Sequence, residues 1–444
     1  MRLLNVESRQ LEEYSESSFP PANYAILSHT WGEDEVTYQD LQTPEKGKSK
    51  AGYAKIEGAC RQAARDGWRY VWVDTCCIDK SSSAELSEAI NSMFRWYNKA
   101  RVCYVYLSDV SRSDDSTAVE RSLRDSRWFT RGWTLQELLA PHELRFFESV
   151  WEGLESPGSS WHPLIMSITG IDVYHWDKEP LLVKLSWAAK RQTTRQEDMA
   201  YCLLGLLGVN MPLLYGEGEA AFPRLLEEVI KKSTSHAVLA AGYGLTLTAL
   251  QESRIDGSVL PTAPDAYAGC SAGFREVQVP GRTTSAHFSM TNAGLLIELP
   301  LVQIDPDTRT VLALINCQDR SHEGYQIAIP LSHKEGDKYG QFYERAVGSQ
   351  PFRVPPNFSD HAQRTNIFIS NRTTVPAWGR QLRTENYFEN MVYFGALLNA
   401  GMGVPVKIQR GSSREDGKKR VLEIQKMGAP RKRLTIHATG GAER

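Results

Sequence analysis

A chain of 444 residues with 41% hydrophobic and 23% charged residues reads as a soluble globular protein of two or three domains. A net charge of −2 excludes a general nucleic-acid binder, which would carry a basic face, and no apolar run reaches the length of a membrane span. The start, Met1-Arg2-Leu3-Leu4-Asn5-Val6-Glu7, turns polar too soon for a secretory signal. The seven cysteines sit mostly inside apolar strings, so they read as reduced, buried thiols of a cytoplasmic protein.

Taken in chain order, Tyr24-Ala25-Ile26-Leu27-Ser28 is a short apolar run that predicts a strand leading into a loop. Ile56, Cys60, Ala63 and Ala64 recur at helical spacing after Tyr53, and Gly67 supplies the stop. Tyr70 to Asp74 predicts a second buried strand. Ser82-Ser83-Ala84-Glu85 has the pattern of a capping box, followed at helical spacing by Leu86, Ile90, Met93, Phe94 and Tyr97. Val102 to Leu107 predicts a third strand. A helix around Glu137 is closed by Pro141, and Leu144 to Phe147 predicts a fourth strand. This alternation predicts an α/β domain over residues 1–150, a parallel sheet with helices on both faces. Residues 151–235 read as a helical extension, with amphipathic segments at 181–190, 197–207 and 219–232. From 236 to 444 the period changes to two, at Val311–Ile315, Tyr325–Ile329, Asn366–Ile369, Val404–Ile408 and Leu434–Ile436. A β-rich C-terminal domain, sandwich or barrel, is expected there.

In open α/β sheets, ligands bind at the carboxyl ends of the parallel strands. Those ends carry Ser28-His29-Thr30-Trp31-Gly32, Asp74 and Ser108-Asp109. Trp133 and Glu137, four apart, would share a helix face close by. Together they describe one polar, aromatic crevice; the plainer reading is that His29 and Asp74 cap turns and Trp31 fills core. No metal site is expected, because Cys76 and Cys77 are adjacent and lack partners at ligand spacing. Gly47-Lys48-Ser49 lacks the first glycine of a phosphate loop. Gly269-Cys270-Ser271-Ala272-Gly273 lacks the strand-to-helix context of a nucleophile elbow. The basic residues Lys418-Lys419-Arg420 and Arg431-Lys432-Arg433 read as a solvated hairpin.

Several strings resemble the fungal heterokaryon-incompatibility (HET) domain. They are Ala25-Ile26-Leu27-Ser28-His29-Thr30-Trp31-Gly32, Trp72 to Asp79, Ala84 to Met93, Arg131-Gly132-Trp133-Thr134-Leu135-Gln136-Glu137-Leu138-Leu139-Ala140-Pro141, Thr193 to Gly205 and Met211 to Gly218. The resemblance covers roughly residues 1–233. It implies a part in fungal non-self recognition and cell death, although the nucleotide-binding ATPase domain and repeats of some members are missing here.

The HET domain in turn looks like a divergent relative of the TIR domain, a flavodoxin-like signalling fold of which several members cleave NAD at the nicotinamide–ribose bond. Trp133-Thr134-Leu135-Gln136-Glu137-Leu138 is similar to the TIR motif that carries the catalytic glutamate, with Thr134 where TIR domains often have Cys. The resemblance therefore implies Glu137 as the catalytic carboxylate, with NAD as substrate and no cofactor. It implies Ser28, His29, Thr30, Trp31 and Gly32 as part of the nucleotide pocket, with the turn amides facing the diphosphate. Asp74 would hydrogen-bond ribose or brace the loops, Trp31 or Trp133 would stack on a ring, and Arg131 would set the Glu137 charge or simply pair with it on the surface. The alternative is a non-catalytic module that self-associates or recruits a partner protein through the exposed faces of helices 53–66 and 84–98. A nuclease or nucleotide cyclase using the same cleft is a third class.

Overall fold

The computed structural model describes residues 1–245 except 15–22, 112, 114 and 157–159. Beyond 245 it describes 258–270, 274–277, 288–303, 310–319, 324–334, 341–345, 350–355, 358–359, 362–370, 406–410, 419–426 and 432–437. The described residues form two compact units. One comprises Met1–Lys232 with Thr262–Ser271, the other Ser233–Pro261 with Ala272–Arg444.

The first unit is built on a six-stranded sheet of β1 (Arg2–Asn5), β2 (Leu11–Glu13), β3 (Tyr24–His29), β4 (Tyr70–Trp72), β5 (Val102–Tyr106) and β6 (Leu144–Phe147). Their spatial order is β2-β1-β4-β3-β5-β6. The pairs β3–β4, β3–β5 and β5–β6 are parallel, as the alternating pattern predicts, whereas β1 lies antiparallel to both β2 and β4. The expected parallel sheet thus carries an antiparallel edge that the sequence pattern did not predict. Every residue of β3, β4 and β5 is buried, so neither face of the central sheet meets water. The four parallel strands run second, first, third, fourth in space. Chain order therefore reverses between β3 and β5, the kind of point at which ligands bind in open α/β sheets.

The helices of this unit are α1 (Tyr38–Leu41), α2 (Pro44–Lys48), α3 (Tyr53–Arg65), α4 (Asp74–Cys77), α5 (Ser83–Lys99), α6 (Ser116–Asp125) and α7 (Thr134–Leu139). At the start of α5 the Ser82 side chain accepts from the Glu85 amide at 3.3 Å. The Glu85 carboxylate does not return to close the box. It reaches the Asp79 amide at 2.8 Å and pairs with Arg2, tying the helix start to β1. Trp96 and Tyr97 of α5 pack edge-on against Trp72 of β4, with ring centroids 5.5 and 5.8 Å apart.

After β6 come α8 (His162–Thr169), α9 (Leu181–Ser186), α10 (Asp198–Tyr201), α11 (Leu204–Leu207) and α12 (Ala221–Lys232). The single helix expected over 197–207 is two short ones, and the second contains Gly205. A Cβ on it would lie 2.0 Å from Phe94 of α5, so the backbone itself presses on that ring. The motif segments of this region interlock. Gln192 bonds Thr130 and Gly132 through the main chain at 2.7 and 2.8 Å. Glu197 accepts from the Gly216 and Gly218 amides at 2.7 and 3.2 Å. Tyr215 donates to Asp198 at 2.9 Å.

In the second unit the strands β7 (Phe274–Glu276), β8 (Ser289–Thr291), β9 (Gly294–Gln303), β10 (Thr310–Asp319), β11 (Gln326–His333), β12 (Phe342–Arg345), β13 (Phe352–Val354) and β14 (Gln363–Ile369) form one eight-stranded sheet. The pairings β10–β11–β12–β14–β9–β10 close on themselves, so the expected β-rich region contains a small barrel. A separate antiparallel sheet joins β15 (Val406–Arg410), β16 (Lys419–Lys426) and β17 (Lys432–His437). Among the described residues no helix is long and apolar enough to cross a membrane.

Candidate functional site at the strand ends

Ser28 is the last but one residue of β3 and is fully buried. Its hydroxyl donates to Glu137 Oε2 at 2.5 Å and accepts from the Trp128 indole N–H at 2.7 Å. Glu137, in the first turn of α7, is only 7% exposed. Tyr97 also contacts its carboxyl group. The Tyr97 hydroxyl also donates to the Leu27 carbonyl, at 2.9 Å. Burial, opposed by the Ser28 and Tyr97 hydrogen bonds and reinforced by the Asp74 charge, pushes the Glu137 carboxyl up to about 8. That shift favours the uncharged acid at neutral pH.

Around it, Thr134 binds the Trp128 and Arg131 carbonyls at 2.5 and 2.8 Å and fixes the turn into α7. The buried Arg191 donates to Thr134 and to the Arg131 carbonyl at 3.0 and 2.8 Å. Burial lowers the Arg191 guanidinium to about 10, and it is the cation that acts on Glu137. Arg131, expected in that role, instead donates to Thr194 at 3.3 Å. Trp133 also departs from the expectation of an indole beside Glu137. Its side chain bonds Asp198 of α10, and the indole that reaches the Glu137 network is Trp128.

The loop after β3 builds a second, more open cluster. His29 is buried, yet neither ring nitrogen has a hydrogen-bond partner. Its Nε2 lies 3.9 Å from both Glu35 and Asp74, beyond hydrogen-bond reach. Burial, aided by Lys55, drops the imidazole to about 3, so it is neutral. Trp31 is 48% exposed. Its N–H donates to Asp74 at 2.8 Å, and the Lys80 ammonium sits 3.6 Å over the ring. Asp74 therefore braces the loop, and one face of Trp31 is already occupied. The Gly32 amide, expected to face a diphosphate, donates to Glu35 at 2.6 Å. Glu35 is also paired with Lys55, whose ammonium donates to the Thr30 carbonyl at 3.1 Å.

Ser28, His29, Thr30, Trp31, Gly32, Asp74 and Glu137 are thus gathered at one end of the sheet, in two layers. The outer layer is open and charged, and the inner one is packed around the buried Glu137 carboxyl. Tyr97, Trp128, Arg191, Glu35 and Lys55 were not singled out from sequence. Tyr97 reads there as helix core, and only the three-residue spacing of Gly32 and Glu35 hinted at a carboxylate returning to an amide. A separate surface cavity of about 580 Å³ near β6, lined by Arg65, Arg145, Trp151 and Trp161 among others, contains none of these residues.

Residues 24–122 match the family described as Heterokaryon incompatibility protein (HET). The chain is 47% identical over 237 residues to the vegetative incompatibility protein HET-E-1 of Podospora anserina, an alignment covering 51% of this chain and 17% of that protein. The chain thus spans about a sixth of that relative's length. No solved structure matches it.

Proposed function

We propose that this chain, which carries a HET domain, is an effector of heterokaryon incompatibility that hydrolyses NAD at the nicotinamide–ribose bond from a latent resting state. The observation that carries the reading is convergence. Ser28, His29, Asp74 and Glu137 come from three separate stretches of sequence and meet at the carboxyl ends of a wound sheet, where chain order reverses. The spatial order of the parallel strands is that of flavodoxin-like folds, which supports the TIR-like reading.

Cleavage breaks the C–N bond between ribose and nicotinamide. The electron pair leaves with the pyridine nitrogen, so nicotinamide departs neutral without a general acid, and positive charge develops at the anomeric carbon. Water adds to that carbon and releases a proton, giving ADP-ribose. An ionised Glu137 would stabilise the developing cation and take the water's proton. The resting Glu137 is buried and packed against Ser28, so activity requires the inner layer to open, which hydrates the carboxyl and lowers its raised pKa. Assembly of HET domains with one another, or with a partner, is the event that would open it.

The test follows nicotinamide release from NAD by the purified chain, alone and after induced clustering. Release only on clustering, abolished by Glu137→Gln, is expected. Equal rates in the variant and the wild type would overturn the assignment.

The packed inner layer favours a second reading, in which the HET domain is a non-catalytic adaptor whose buried Ser28–Glu137–Trp128 network is structural. Under it, clustered protein leaves NAD intact, and substitutions on the exposed faces of α3 and α5 abolish association.

A further inference from the structure

We infer that Glu35 is a built-in stand-in for a phosphate, filling an anion subsite that receives a phosphoryl group of a nucleoside diphosphate when the 30–36 loop gives way. The inference deepens the nucleotide-site reading and rests on the crevice binding a nucleotide, not on hydrolysis at Glu137.

The subsite consists of donors supplied by three elements. The Gly32 amide, from the loop after β3, points at Glu35 Oε1 at 2.6 Å. The Lys55 ammonium, from the first turn of α3, is paired with the same oxygen. His29, the last residue of β3, turns its Nε2 to within 3.9 Å of Glu35 Oε2. The Glu35 side chain is 11% exposed, so the carboxylate is seated in the subsite rather than waving over it. Gly52 backs it closely, since a Cβ there would lie 2.8 Å from Oε2.

The match is incomplete in an informative way. A carboxylate has two oxygens; one serves both Gly32 and Lys55, and the other falls short of the imidazole. His29 is therefore left 1% exposed at its side chain with both nitrogens unsatisfied, a costly condition for a buried polar ring. A tetrahedral phosphoryl group is larger and carries more acceptor oxygens. It can keep the amide and the ammonium and also reach His29, which would donate from Nε2. Lys80, over the Trp31 ring, adds a second cation beside the subsite, and Asp74 stays engaged by the Trp31 N–H. A second anion cannot share the place with Glu35, because like charges in contact repel strongly at low local dielectric. Displacement of Glu35 is therefore the gate.

The experiment titrates ADP, which lacks the nicotinamide bond, into the 444-residue chain by calorimetry. Wild type should bind weakly, and Glu35→Ala should bind at least about tenfold tighter because the internal competitor is gone. Glu35→Gln keeps an acceptor for the Gly32 amide, so it retains the loop if the alanine variant fails to fold; it too should bind more tightly. Adding Lys55→Met to either variant should remove the gain. No gain in a folded Glu35 variant, or a gain indifferent to Lys55→Met, overturns the inference. Tight ADP binding by the Glu35 variants without NAD hydrolysis would sink the hydrolase reading and leave this one standing. Hydrolysis without ADP binding would do the reverse.

Discussion

Glu137→Gln exposes the protonation state of the inner layer without reference to any activity. Glutamine has the shape and polarity of a neutral glutamic acid, so the exchange is nearly silent below about 4.5, where the carboxyl is protonated in both folded and unfolded chains. The groups facing Glu137 are Ser28 from β3, Tyr97 from α5, Asp74 from α4 and Arg191. The folded carboxyl titrates at about 8 against an ordinary value of 4.5, a difference on the order of 5 kcal/mol between its two protonation states. The sign follows from the direction. A group whose pKa is raised by folding contributes stability that is complete below about 4.5 and is lost as pH climbs to about 8. His29, facing Lys55, Glu35, Lys80 and Asp74, works the other way. Its pKa falls from 6.5 to about 3, so its contribution is complete above 6.5 and lost as pH drops towards 3. Between 4.5 and 6.5 the two slopes oppose each other, and above 6.5 only Glu137 remains. Urea unfolding followed by tryptophan fluorescence reads the first unit, because ten of the eleven tryptophans lie at or before Trp187. The stability of Glu137→Gln relative to wild type should grow by about 2 kcal/mol between pH 6.5 and 8, then level off. Parallel curves for the two proteins would mean that Glu137 is ionised in the fold, and the latent-state argument would fail with them.

Other outcomes follow from the same contacts. Ser28→Ala strips the Trp128 indole N–H of its acceptor and Glu137 of a donor, and should cost about 1–3 kcal/mol in chemical denaturation. Gly132→Ala would place a methyl 2.5 Å from Thr193 Cγ2. It should lower stability by about 1–3 kcal/mol, and Thr193→Ser in the same chain, which deletes that methyl, should restore most of the loss.

The sequence alone determined the central architecture. β3, β4 and β5 are buried on both faces, so they appear as uninterrupted apolar runs, and α3 and α5 carry their apolar residues at helical spacing. These are local periodicities, written in consecutive residues. The antiparallel edge was not legible, since Leu11-Glu12-Glu13 is too short and too charged to carry a period and gains its place only by pairing with β1. Nor was the closure of the barrel, which depends on β10 and β12 choosing the same partner, β11.

At the site, the sequence placed Ser28, His29, Asp74 and Glu137 near the strand ends, but their states were decided elsewhere. Helical spacing offered Trp133 as the aromatic beside Glu137, whereas Asp198, distant in sequence, holds it and Trp128 takes the place. Spacing along a chain can say which side chains share a face. Whether a carboxyl there is charged depends on how completely other elements exclude water from it, and that is a property of the packed fold alone.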